Sequence, residues 1–152
     1  MKKVLASMVI LCANLYAQEP VFEKKIGSML MVGFHGTHAP KESQICKDIK
    51  RYDLGGVILF DYNPVDKTKP KNIASKQQLT HLTQELQACS RDGKLLIAVD
   101  QEGGRVQRLK STYGFYGQFP QASQITKMDK EAIFRTYTHM AKSYRVSALT
   151  II

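Results

Sequence analysis

Residues 95–109, LLIAVDQEGGRVQRL, set a wholly apolar five-residue run directly before an acid, a glycine pair and two arginines. Leu95 to Val99 is too short for a stable helix and has no polar member, so it reads as a strand buried on both faces. Asp100 stands where that strand stops. Gly103-Gly104 permits a turn that residues carrying a Cβ would resist. In parallel α/β folds, ligands bind at the carboxyl ends of the strands. An acid at that point, with Arg105 and Arg108 close behind, is suited to holding polyhydroxylated or anionic matter.

The rest of the chain alternates strand and helix at spacings that fit right-handed βαβ units. Met29 to Phe34 is expected as the first strand. Lys41 to Tyr52 is a short helix with Ile45 and Ile49 at helical spacing, and Val57 to Phe60 is the second strand. Asp61 to Lys71 holds two prolines and several charges and reads as a loop. Ser75 is placed to cap the next helix, whose Leu79, Leu82, Leu86 and Cys89 share one face, and Asp92-Gly93 ends it. Tyr113 to Pro120 suits either a loop across the mouth of the sheet or one packed on its rim through Phe115 and Phe119. Asp129 to Tyr144 is a helix with an acidic first turn.

Several of these segments, in order, resemble the N-terminal domain of glycoside hydrolase family 3, in its β-N-acetylhexosaminidase branch. They are GSMLMVGFHG (27–36), LGGVILFDYN (54–63), NIASKQQLTHLTQELQ (72–87), VDQEGGRVQR (99–108) and FPQASQI (119–125). The resemblance implies the first part of an α/β (β/α)₈ barrel. A closed barrel takes roughly 250 residues, and these 152 cannot close one. The third and fourth strands would then expose an unpaired parallel edge.

The resemblance also implies chemistry. The family's retaining mechanism uses an aspartate nucleophile on a late strand, and in this branch a histidine on a flexible loop as acid/base. Neither segment occurs in the 152 residues, so no catalytic residue is assigned and this chain is expected to lack turnover. By the same resemblance, Asp100 accepts hydrogen bonds from a terminal N-acetylglucosamine and Arg108 is the second sugar contact of the motif. A charged acceptor suits the role, since charge-assisted hydrogen bonds are roughly twice as strong as neutral ones. Glu102 and Arg105 are expected to pair locally and fix the turn. The implied substrate is a terminal β-linked N-acetylhexosamine of peptidoglycan-derived or chitin-like saccharides. A β-glucosidase-type specificity and a non-catalytic sugar-binding remnant remain as alternatives.

At the N-terminus, Lys2-Lys3 and the apolar VLASMVILCANLYA resemble a secretory signal peptide cleaved after Ala17, leaving residues 18–152 as three to four βα units. The run is shorter than the ~20 residues a membrane span needs. Export to the periplasm or beyond is the expectation, and Cys12 leaves with the peptide. Cys46 and Cys89 follow no framework pattern and read as two partly buried thiols, with a disulfide as the alternative.

The formal charge of +9 is spread over the chain without arginine–aromatic interleaving, which argues against a nucleic-acid surface. His35, at the end of the first strand, is placed to face the mouth. His38, His81 and His139 lack partners at metal spacing, and EGGRV lacks the GxGxxG spacing, so neither metal nor nucleotide cofactor is expected. The C-terminal residues 141–152, AKSYRVSALTII, depart from the family's pattern. Among the codons that could encode them, one choice with a single A restored after the first codon reads Ala-Lys-Glu-Leu-Ser-Ser-Val-Gly-Ile-Asn-Tyr-Asn, which follows it. A frameshift near residue 142 is therefore expected, with a divergent terminus as the alternative.

Overall fold

The computed structural model describes residues 22–145 and residue 149. The signal-peptide assignment falls outside them, as does most of the C-terminal segment read as frameshifted. Helix α1 covers residues 22–27. It is followed by β1 (Met31–Gly33), α2 (Gln44–Tyr52), β2 (Gly56–Leu59), α3 (Lys76–Cys89) and β3 (Leu96–Val99). The three strands form one parallel sheet in the order β1-β2-β3, so chain order and spatial order agree. This is an α/β sheet that does not close on itself, as part of a barrel would be. Within the described residues, β1 and β3 each keep one edge unpaired.

Local chemistry sets the helix ends. Ser43 Oγ accepts from the Cys46 amide at 3.4 Å and so starts α2. The residues expected to begin this helix, from Lys41, form a turn instead, which Ser43 closes by donating to the Pro40 carbonyl at 2.7 Å. Asp53 ends α2 in the left-handed region at φ 54°. Ser75 caps α3 as its sequence suggested, accepting from the Gln78 amide at 3.1 Å. The helix stops at Cys89, short of Asp92-Gly93, with Ser90 as its cap.

The core lies between the sheet and these helices. Ile49 of α2 and Leu79, Leu82 and Leu86 of α3 are sealed against Val57, Leu59 and Ile97. Each such side chain contributes about 1.5–3 kcal/mol by leaving water. Leu96 departs from the expectation of a strand covered on both sides, being 46% exposed. The first strand is shorter than its apolar run, because the amides of Met29 and Leu30 bond back to the Ile26 and Gly27 carbonyls in the turn that ends α1.

Cys46 and Cys89 are joined as a disulfide, with their Cα atoms 5.2 Å apart. This corrects the reading as free thiols. Their positions on two different helices hid the pairing, because each cysteine occupies the inward face of its own helix and the two faces meet only in the packed fold. The link staples α2 to α3 across 43 residues of chain.

After β3 the chain turns into an antiparallel hairpin, β4 (Gln101–Gly103) with β5 (Val106–Gln107), where only a turn was expected. Strands this short leave no periodicity to read. A four-residue helix, α4 (Ala122–Ile125), was missed for the same reason, and α5 (Lys130–Arg145) forms close to its expected bounds. Phe115 and Phe119 are buried in the core, which selects rim packing for the loop from Tyr113 to Pro120.

Candidate functional site

The carboxyl ends of β2 and β3 bring two acids side by side. Asp61 follows β2 by two residues and Asp100 follows β3 by one. Arg108, just after β5, joins them. One terminal nitrogen of its guanidinium lies 3.5 Å from Asp61 Oδ1 and the other lies 3.3 Å from Asp100 Oδ2. Lys110 Nζ approaches Asp61 Oδ2 at 2.5 Å. Two carboxylates and two cations thus form a balanced cluster at the mouth of the sheet.

The members differ in access. The Asp61 side chain is only 1% exposed, whereas that of Asp100 is 38% exposed. Asp61 is therefore an internal anchor, held by both cations as a buried carboxylate requires. Asp100 offers its second oxygen outward, and that oxygen has no bonded partner among the described residues. It is the acid available to a ligand.

The hairpin aims Arg108. Gln101 is buried, and its Oε1 accepts from the amides of Arg108 and Leu109 at 2.9 and 3.0 Å. Buried Gln107 accepts from the Phe119 amide at 3.0 Å and donates to the Gly117 carbonyl at 2.8 Å, tying the hairpin to the rim loop. Gly103 and Gly104 both take positive φ, 83° and 59°, and a Cβ on Gly103 would lie 2.2 Å from the Pro120 carbonyl oxygen. Beneath Arg108, the Phe60 ring lies 5.5 Å from the guanidinium carbon, with Lys71 Nζ 4.3 Å from the same ring. Such stacking favours cations by about 0.5–1 kcal/mol at partly exposed sites.

Both residues expected to contact sugar, Asp100 and Arg108, are brought together, and they bind each other directly. Glu102 and Arg105 form no ion pair. Both are exposed, and the turn is held by its glycines and by the Gly104 amide bonding the Phe119 carbonyl at 2.8 Å. His35 lines a cleft of about 710 Å³ shared by α1, β1 and α2, and contacts none of the charged cluster. His38 Nδ1 lies 3.9 Å from Glu85. Among the described residues, no three His, Cys, Asp or Glu side chains gather as a metal ion would need, and no helix is long and apolar enough to cross a membrane.

Asp61, Lys110 and Phe60 were not among the expected site residues. A signal for Asp61 was available: VILFD at the end of β2 repeats the apolar-run-then-acid pattern of LIAVD.

An open parallel α/β sheet with a carboxylate–guanidinium cluster at its carboxyl edge has the architecture of part of a barrel-type domain. The profile of the glycosyl hydrolase family 3 N terminal domain matches residues 21–150, and the chain belongs to that family. It is 42% identical over 84 residues to a β-hexosaminidase of Alkalilimnicola ehrlichii, covering 55% of this chain and 21% of that protein. Over 128 residues it is 30% identical to a β-hexosaminidase of Xanthomonas campestris pv. campestris, covering 81% of this chain and 35% of that one. Its fold matches the structure of a glycoside hydrolase family 3 β-N-acetylglucosaminidase from Paenibacillus sp. str. FPU-7 with a TM-score of 0.69 and 28% identity, across 84% of this chain and 22% of that chain. The chain therefore spans between a fifth and about a third of the length of these relatives.

Proposed function

We propose that these residues form the sugar-holding wall of an exported glycoside hydrolase acting on terminal β-linked N-acetylhexosamine, as in peptidoglycan-derived or chitin-like saccharides. The observation that carries this reading is the Asp61–Arg108–Asp100 bridge across adjacent strand ends. It leaves one oxygen of Asp100 open to accept from ring hydroxyls, and Arg108, whose side chain is 22% exposed, is the cation beside it that would donate to a sugar oxygen. Charged partners of this kind make the stronger hydrogen bonds, and in glycosidases such contacts to hydroxyls tighten as the transition state forms. The β-hexosaminidase relatives support the N-acetylated sugar over plain glucose. The Cys46–Cys89 disulfide supports an oxidising destination, where such bonds persist.

The nucleophile and acid/base segments implied by the family resemblance are not among these 152 residues, so the role proposed for these residues is binding of the sugar. The test is calorimetric titration with N-acetylglucosamine, with glucose as control, alongside a chromogenic β-N-acetylglucosaminide assay. Binding of N-acetylglucosamine that weakens about tenfold or more in Asp100→Asn, without hydrolysis, supports the reading. Equal affinity for glucose would shift it toward the β-glucosidase type. Indifference to Asp100→Asn would remove the site.

A further inference from the structure

We propose that the cleft between α1, β1 and α2 receives helix α5 of a second copy of this chain. The contact is separate from the charged cluster, since none of Asp61, Asp100, Arg108 and Lys110 lines the cleft.

Helix α5 has two faces that avoid water. Ala132, Thr136 and Met140, at i, i+4 and i+8, are drawn inward, and Met140 is buried in the core. Phe134, Tyr137 and Ala141, at i, i+3 and i+7, form a stripe on the opposite side. Phe134 is 73% exposed and Tyr137 49%. A surface helix with one neighbour needs only one apolar stripe, so the second calls for a cover. Lys130 stands one turn before Phe134 on the same side. From Lys130 to Lys142 the helix sets Lys130, Arg135 and Lys142 against a single acid, Glu131.

The cleft has the matching character. At about 710 Å³ it falls within the roughly 300–1,000 Å³ of ligand-holding sites. Leu30, Val32 and Phe34 alternate along the β1 segment, and α1 adds Ile26. Ile26 and Leu30 remain 45% and 48% exposed. The lining includes two acids, Glu23 and Asp48, and among the described residues neither lysine nor arginine. In a chain of formal charge +9, an apolar groove rimmed only by acids is set apart from the rest of the surface. A basic helix with aromatic anchors complements it, the stripe on the floor and the cations against the rim.

The helix and the cleft do not cover each other within one chain, as the exposure of Phe134, Tyr137, Ile26 and Leu30 shows. Met140 holds α5 to its own core with the stripe outward, so the stripe meets a cleft on another copy. The free edge of β1 lies beside the same cleft. Unpaired edges of this kind favour association unless something covers them, and a seated helix does so.

Sedimentation equilibrium of the intact chain tests this. Self-association in the micromolar range is expected, because one helix in one groove makes an interface at the small end of the scale. Two variants separate the two sides. Phe134→Ser with Tyr137→Ser removes the stripe, and Ile26→Lys puts a cation into the cleft. All three side chains are substantially exposed, so the fold persists, which an unchanged far-ultraviolet circular dichroism spectrum verifies. Each variant alone should associate more than tenfold more weakly, the scale of losing an aromatic anchor. Mixing the two brings an intact cleft to an intact stripe, and a one-to-one pair should return. A chain that stays monomeric at high micromolar concentration overturns the proposal. So does association that either variant leaves unchanged, or a mixture that stays apart.

Discussion

Asn72 and Phe60 bond each other twice: the Phe60 amide donates to Asn72 Oδ1 at 3.1 Å, and the Asn72 amide donates to the Phe60 carbonyl at 2.8 Å. The Asn72 amide group also donates to the carbonyls of Phe34 and Gly36, at 3.1 and 3.0 Å. One fully buried side chain therefore ties the exit of β1 to the exit of β2 and fixes the ring under Arg108. Asn72→Leu keeps the volume and strands three backbone groups. At about 1–3 kcal/mol for each unsatisfied group, partly relieved by entering water, it should cost about 2–5 kcal/mol. Urea denaturation measures this, and a loss under 1 kcal/mol would show that the backbone finds other partners.

Arg108→Lys should weaken sugar binding although charge is preserved. A single ammonium cannot reach both Asp61 and Asp100 as the planar fork does. Titration should show at least a tenfold loss. Asp100→Asn combined with Arg108→Lys should lose less than the sum of the two, since the residues share one interaction.

Reducing the Cys46–Cys89 bond should destabilise the chain by about 2–4 kcal/mol, the range typical for a cross-link closing a loop of this kind. Thermal melts with and without a phosphine reductant read the change directly. The double variant Cys46→Ser, Cys89→Ser should melt with the reduced form and ignore the reductant.

Gly103→Ala places a methyl against the Pro120 carbonyl in a positive-φ position. Such strain costs about 1–3 kcal/mol before the clash is relieved. The hairpin should shift, and sugar affinity should fall with stability. Gly117→Ala, where a Cβ meets nothing, is the matched control.

Asp66 titrates below the ordinary carboxylate range, chiefly because the Thr68 hydroxyl bonds it and then because the Thr68 amide does. The lowered value means that these bonds favour the ordered loop above the unfolded carboxyl range and are lost as pH falls through the folded value. Carboxyl-carbon NMR should show a depressed midpoint in the native chain, moving upward in Thr68→Val. An unchanged midpoint in that variant would remove Thr68 as the cause.

Much of this architecture could be read in the residues because it is written in local patterns. Ser75 with Leu79, Leu82 and Leu86 announces a capped, one-faced helix, and LLIAVD announces a strand that ends in an acid. That Asp100 and Arg108 stand near one another at a strand end follows from the same kind of pattern, since both lie in one short motif. What escaped depends on contacts distant in sequence. Asp61 was read as part of a loop because its meaning comes from Arg108 and Lys110, more than forty positions later. The cysteine pairing was equally invisible until two helix faces met. Glu102 and Arg105 were paired on proximity alone, whereas glycine geometry and the Phe119 carbonyl hold that turn.

The bridge from Cys46 to Cys89 encloses β2, the Lys67 loop and all of α3 within a covalent ring. A protease that cuts once among the exposed residues from Val65 to Pro70 would open this ring without releasing either piece. The nicked chain would run as a single band without reductant and as two with it. Damage to this exposed loop is thus survivable: the strands on either side of the cut stay tethered, and the sheet keeps its partners.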